Sequence, residues 1–169
     1  YSYDPSTNAW TAKTSMPANR YYHGQSLLAD GTVLVTGGDV GGSVSSDVRS
    51  YDPSTNAWTA KTALPATRQF QGQSTLSDGK VLVTGGYVGG AKSADVQSYD
   101  PSTNAWTAKT ALPATRYQHK QSMLSDGTAL VTGGRSPAAT TTADVQQYDP
   151  GGPILTAGRA ALLGYLAAN

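Results

Sequence analysis

The sequence predicts an all-β protein built of repeated four-stranded antiparallel units, arranged like the blades of a propeller. Two observations carry that reading. The string YDPSTNAWTAKT begins at Tyr3, Tyr51 and Tyr99, and a shortened YDP returns at Tyr148, so the chain repeats in steps of 48, 48 and 49 residues. A fixed period of that length marks units that stack on one another, because one such unit cannot bury its own apolar faces. Each period also holds four short runs with strand patterning, separated by Asp-Gly, Gly-Gly and Asp-Pro-Ser-Thr-Asn clusters. Four antiparallel strands in about fifty residues is the spacing of a propeller blade.

Within the first complete unit, Tyr21 to Leu28 reads as strand one, and Asp30-Gly31 between apolar runs signals a hairpin into strand two. Strand two, Thr32 to Thr36, is almost continuously β-branched or apolar, as expected of a strand covered on both faces, and stops at Gly37-Gly38. A loop that differs between units leads to Asp47–Tyr51, which alternates like strand three and runs into the turn formers Asp52 to Asn56. Trp58-Thr59-Ala60 opens strand four, and Leu64-Pro65-Ala66-Thr67 links to the next unit, since proline cannot donate to a ladder. The expected organisation is a partial blade over 1–18, blades over 19–62, 67–110 and 115–157, and a divergent tail over 158–169 that reads as a strand or a short helix. Units one and two share about seven positions in ten, the mark of recent duplication or of deliberate engineering.

These units resemble kelch repeats. The residues that carry the resemblance are the double glycines Gly37-Gly38, Gly85-Gly86 and Gly133-Gly134, followed by Tyr51 with Trp58, Tyr99 with Trp106, and Tyr148 with Leu155 in place of tryptophan. Tyr3 with Trp10 belongs to a preceding partial blade. The run from Arg20-Tyr21-Tyr22-His23 to Gly38 is similar to the bacterial, galactose-oxidase-like branch, which implies a secreted or cell-surface bacterial setting. Copper chemistry of that branch is not implied, because its site needs a cysteine and the chain has none. In such a blade the glycine pair supplies positive φ or close backbone approach, and the tyrosines and tryptophans are expected to pack between blades.

Composition narrows the function. With 12 Lys and Arg against 11 acidic residues the net charge is +1, which does not supply the basic excess of a nucleic-acid binder. No run approaches the length of a membrane span. Every acidic side chain is an aspartate, and ten of the 11 sit at repeated turn or strand positions, leaving Asp39 alone outside the pattern. Repeated carboxylates share one environment, whereas an acid–base pair needs two different ones. His23 and His119 occupy one repeat position, where unit two has Gln71, and they cannot assemble the three or four ligands of a metal site. No nucleophile elbow or phosphate-cradling glycine motif occurs. The reading is therefore a non-enzyme, with no catalytic or metal residues and no cofactor.

Positions that differ between otherwise matching units are not dictated by the scaffold, and they are the candidate contact residues: Tyr21, Gln69 and Tyr117; Tyr22, Phe70 and Gln118; Lys120 in place of Gly24 and Gly72; and Asp39, Tyr87 and Arg135 just after the double glycine. Repeated Arg20, Arg68 and Arg116 are expected to pair with repeated aspartates. The function that follows is a binding or scaffold module with a protein partner; the alternative is a multivalent carbohydrate-binding lectin, whose weak identical sites gain avidity by repetition. About three and a half blades are present, so two copies are expected to close one ring of six or seven blades as a homodimer, unless the chain is one stretch of a longer single-chain ring.

Overall fold

The computed structural model describes residues 1–136 and 142–149, so the 158–169 tail and Leu155 lie outside the described residues. All the described elements are strands, paired antiparallel. A two-stranded hairpin comes first, β1 (Ser2–Asp4) and β2 (Ala9–Thr11). Next come β3 (Arg20–Tyr21), β4 (Gly24–Leu27), β5 (Val33–Thr36), β6 (Asp39–Val40), β7 (Ser43–Val44), β8 (Val48–Asp52) and β9 (Ala57–Lys61). The pattern recurs as β10 (Arg68–Gln69), β11 (Gly72–Thr75), β12 (Val81–Thr84), β13 (Tyr87–Val88), β14 (Ala91–Lys92), β15 (Val96–Asp100) and β16 (Ala105–Lys109). A third set contributes β17 (Lys120–Met123), β18 (Ala129–Thr132) and β19 (Val145–Tyr148). Blade sheets run β4-β5-β8-β9, β11-β12-β15-β16 and β17-β18-β19, each strand beside its sequence neighbour in the sheet.

The expected first strand, Tyr21 to Leu28, is broken in two. Tyr22, Phe70 and Gln118 adopt left-handed backbone, with φ of 57, 60 and 56°, and turn the chain between β3 and β4, between β10 and β11, and ahead of β17. Arg20–Tyr21 then leaves the blade and pairs with Asp39–Val40, giving a small second sheet β3-β6-β7 that recurs as β10-β13-β14. The loop after the double glycine is thus itself a hairpin. The Asp-Gly hairpin is also longer than two residues: Gly31 N–H donates to Leu28 O and Leu28 N–H to Thr32 O, with Gly31 at φ 83°, a three-residue loop closed by a glycine bulge.

Blades stack through alternation along strand two. Val81 and Val83 point back with Tyr99 into Leu28, Leu34, Val48 and Leu64, while Leu82 points forward with Val96 into Ala129, Val131 and Tyr148. Both clusters are nearly dry: Leu34, Val81, Leu82 and Tyr99 are all 0% exposed. A second set of contacts is polar and repeats as faithfully. Asn104, in left-handed backbone at φ 54°, accepts Thr62 N–H on Oδ1 at 2.9 Å, and Trp106 Nε1 donates to Thr62 O at 2.9 Å. Asn56 and Trp58 hold Thr14 in the same way. Trp58 and Trp106 therefore join units as expected, whereas Trp10 is 68% exposed and stacks only on Tyr3, because no unit precedes it among the described residues.

The repeated arginines hold each unit's centre. Arg68, 1% exposed, donates through Nη1 to Gly85 O at 2.8 Å and Asp95 O at 3.2 Å and pairs through Nη2 with Asp95. Its backbone faces the unit before: Arg68 O accepts Gly38 N–H at 2.7 Å, and Arg68 N–H donates to Ser45 O at 3.1 Å. Gly37 has no alternative there, since its φ is 58° and an added Cβ would run into Arg68 O. Arg68→Ala is expected to cost on the order of 3–5 kcal/mol, as for a broken buried pair. Asn104→Ala should cost about 1 kcal/mol more than Asn8→Ala, whose Oδ1 holds only Tyr3 OH. Urea unfolding of the three variants against the parent checks both figures.

Candidate functional site

Strands β4, β11 and β17 pack side by side as the inner strands of the blades. The left-handed residues sit at their leading ends and are tied across units by main-chain bonds, Phe70 N–H to Tyr22 O at 3.0 Å and Gln118 N–H to Phe70 O at 2.9 Å. Left-handed backbone is unfavourable for large side chains, at a cost of about 1–3 kcal/mol each, and survives where the surroundings over-determine it. Here the arginine before and the double glycine after do so, leaving side chains at positions 22, 70 and 118 to vary as tyrosine, phenylalanine and glutamine.

Five of the ten candidate residues join in one aromatic cluster. Tyr22 lies over Phe70 with centroids 4.1 Å apart, Tyr21 meets Tyr22 edge-on at 4.6 Å, and Phe70 faces Tyr87 at 6.1 Å and Tyr117 at 6.4 Å. Tyr87 and Tyr117 close the cluster at 4.8 Å, with the Lys92 ammonium 5.9 Å from the Tyr117 ring centroid. The rings remain accessible on the first unit's side, Tyr21 at 48% and Tyr22 at 50% exposed. Arg135 is exposed, exchanges both main-chain bonds with Tyr117, and lies beside the Tyr117 hydroxyl, where a hydrogen bond from its side chain lowers that phenol's pKa. Gln69 is half-buried in β10 opposite Tyr87. Gln118 and Lys120 are exposed and, with Tyr22 and Phe70, line a mouth of about 330 Å³.

Two of the expected contact residues are buried: Tyr117, 6% exposed at the base of the cluster, and Asp39. Asp39 is 8% exposed, its Oδ1 accepts Gly42 N–H at 2.8 Å, and a hydrogen bond to it raises the Tyr21 phenol's pKa. Its role in the geometry is to fasten the β6–β7 turn and to orient Tyr21. Lys92 was not among the sequence candidates, although unit one has Val44 at that position, the same signal of variation that exposed the others.

Beneath the mouth lie His23, Gln71 and His119. Thr84 Oγ1 donates to Gln121 Oε1 at 2.6 Å, so its oxygen is left to accept from His119 Nε2 at 2.8 Å, and the imidazole carries its proton on Nε2. Gln71 takes the same role one unit earlier, its Nε2 donating to Thr36 O at 2.8 Å. Histidine and glutamine are thus interchangeable as one inter-unit donor. Burial, aided by the nearby Arg116 charge, pushes the His119 pKa down from 6.5 to about 4. Among the described residues no three His, Cys, Asp or Glu side chains gather to hold a metal ion, and no helix is long and apolar enough to cross a membrane.

The profile of the KLHDC2/KLHL20/DRC7 Kelch-repeats domain matches residues 1–152. The chain belongs to the kelch-repeat family. Its blade sheets are kelch blades, and the family's propeller explains why strands one of successive units lie together at the inside. Kelch-repeat domains are in general non-catalytic modules that mediate protein interactions, and membership of the family suggests a protein-binding or scaffold module as the coarse function of this chain. No curated protein matches it.

His119 gives the kelch blades a pH dependence with a definite sign. The folded state keeps the imidazole neutral down to about pH 4, whereas the unfolded chain takes up a proton below 6.5, so stability is complete above 6.5 and falls as the pH drops from 6.5 towards 4. The loss is up to about 3 kcal/mol. His119→Gln, copying Gln71, is expected to remove that component; the difference in urea midpoint between pH 7 and pH 4.5, parent against variant, measures it.

Proposed function

We propose that this kelch domain is a protein-binding scaffold whose partner docks on the aromatic surface of Tyr21, Tyr22, Phe70 and Tyr87, backed by the buried Tyr117 ring, with Gln69, Gln118, Lys120 and Arg135 at its edge. The observation that carries the reading is convergence: residues singled out because they vary between near-identical units come together as one continuous surface on a rigid frame. Exposed tyrosines beside basic side chains are the composition of a protein-recognition surface. Self-association into a closed ring belongs to the same proposal, since stacked blades are stable when each face is covered.

The lectin alternative draws on the same rings, which would suit the apolar faces of sugars. Among the described residues the cluster occurs once and spans the units, which favours one partner over several equal sugar sites. A glycan array tests it directly, and reproducible binding to one sugar class would replace the protein partner.

Phe70→Gln and Tyr22→Gln mimic Gln118 in the same left-handed backbone, so they remove the rings and leave the fold in place. Peptides selected from a displayed random library on the parent protein are expected to lose at least tenfold in affinity for both variants and to keep their affinity for Lys13→Ala. Binding that survives both ring variants would overturn the site. For self-association, light scattering over a concentration series is expected to give twice the mass of one chain; a single-chain mass throughout would remove that part of the proposal.

A further inference from the structure

Each unit buries one hydrogen-bond donor and one acceptor that have no partner among the described residues. The donor is the Nε–H of the repeated arginine, at Arg20, Arg68 and Arg116. The acceptor belongs to the residue three positions on, across the left-handed turn: Nδ1 of His23, Oε1 of Gln71 and Nδ1 of His119. His119 Nδ1 is an acceptor because the ring carries its proton on Nε2, and an amide oxygen such as Gln71 Oε1 can only accept. The side chains lie deep in the fold: Arg68 and Arg116 are 1% exposed, His119 4% and Gln71 8%.

The double glycine holds the two groups of each pair together. In unit two Arg68 Nη1 donates to Gly85 O, and the next residue, Gly86, lies against Gln71, where an added Cβ would stand 3.0 Å from Gln71 N and 3.2 Å from its Cα. In unit three Arg116 Nη1 donates to Gly133 O, and a Cβ on Gly134 would stand 2.9 Å from both Cα and Cβ of His119. Arg20, Gly37, Gly38 and His23 repeat the arrangement in unit one. Burial and, after it, the Arg116 charge lower the His119 pKa, and burial and Arg20 act alike on His23, as guanidinium groups do at short range.

A buried polar group left without a partner is costly, and a fold that repeats the same orphan donor and orphan acceptor in three units has a partner for them. That partner must accept from an N–H and donate to a nitrogen or oxygen lone pair in one place. An anion meets only the first need and a cation only the second. Water meets both. The mouth of about 330 Å³ lined by His23, Gln71 and His119 gives it a way in.

We propose that one buried water sits in each unit between the arginine Nε–H and the acceptor three residues on, accepting from the first and donating to the second. Each water completes a relay from its unit to the unit before. In unit two the relay runs from Arg68 Nε–H through water to Gln71 Oε1, and from Gln71 Nε2 to Thr36 O at 2.8 Å. In unit three it runs from Arg116 Nε–H through water to His119 Nδ1, and from His119 Nε2 to Thr84 Oγ1 at 2.8 Å. Histidine and glutamine interchange here because each offers a donor to the unit before and an acceptor to the water of its own unit.

Oxygen-17 relaxation dispersion of water, measured on the full chain, counts the waters held longer than the molecule's tumbling time. Gln71→Leu, close in size and without the acceptor, is expected to lose one such water, and Gln71→His, copying the other two units, to keep the parent's count. An equal count in the parent and in Gln71→Leu overturns the proposal. Gln71→Leu also gives up the bond to Thr36, so a high-resolution crystal structure of the parent decides the matter if that variant does not fold. Density for a water within about 3.2 Å of both Arg68 Nε and Gln71 Oε1, and of Arg116 Nε and His119 Nδ1, is the expected result. A direct bond between the two side chains of each pair, or no density between them, overturns it.

Discussion

The buried arginine of each unit is the constraint on which the other contacts depend. Arg68 has its guanidinium closed on the double-glycine carbonyl and strand-three aspartate of its own unit, while its main chain bonds the double glycine and the β7–β8 connection of the unit before. One residue therefore fixes the fold within a blade and the docking between blades. A buried charge is stable only when it is partnered, and the Nη donors of this one are met by carbonyls and a carboxylate that are in position only when the strands are paired, while its Nε is buried without a hydrogen-bond partner among the described residues. The arrangement couples local and long-range order in a chain with few large apolar residues.

That coupling makes the left-handed turn at Tyr22, Phe70 and Gln118 affordable. With Arg20, Arg68 and Arg116 anchored on one side and the paired Gly38, Gly86 and Gly134 pressed against the preceding carbonyls on the other, the backbone has no room to relax. The side chains carried by the turn are not used by the frame. They can vary in chemistry without cost to the blades, which is the physical basis for the proposed partner surface at the inner end of the first strands.

Interchange at a fixed geometry recurs elsewhere in the molecule. His119 and Gln71 donate to the same threonine position, and the glutamines at 73 and 121 bridge the same serine and threonine pair. What the joints require is a donor at one point and a donor–acceptor amide at another. The asymmetry between a face of valines and tyrosine and a face of leucines gives all the joints one direction, so blades add head to tail and closure needs a rotation that returns to the start.

The repeat length, the alternation of Val81, Leu82 and Val83, and the glycine and Asx turns are local properties, and the sequence by itself determined the blades and their order. The variable positions were equally legible, because duplication supplies its own comparison: Tyr22, Phe70 and Gln118 differ where their neighbours do not. Only the tertiary structure decided that strand one breaks at those residues, since a tyrosine or phenylalanine has no intrinsic preference for positive φ and the turn is imposed by Arg68 and Gly38 from different stretches of chain. The same is true of the burial of Asp39, which follows from its bond to Gly42 N–H, and of the gathering of five rings, which depends on the stagger between blades. Spacing along the chain states which residues recur; the distances between units state which of them meet.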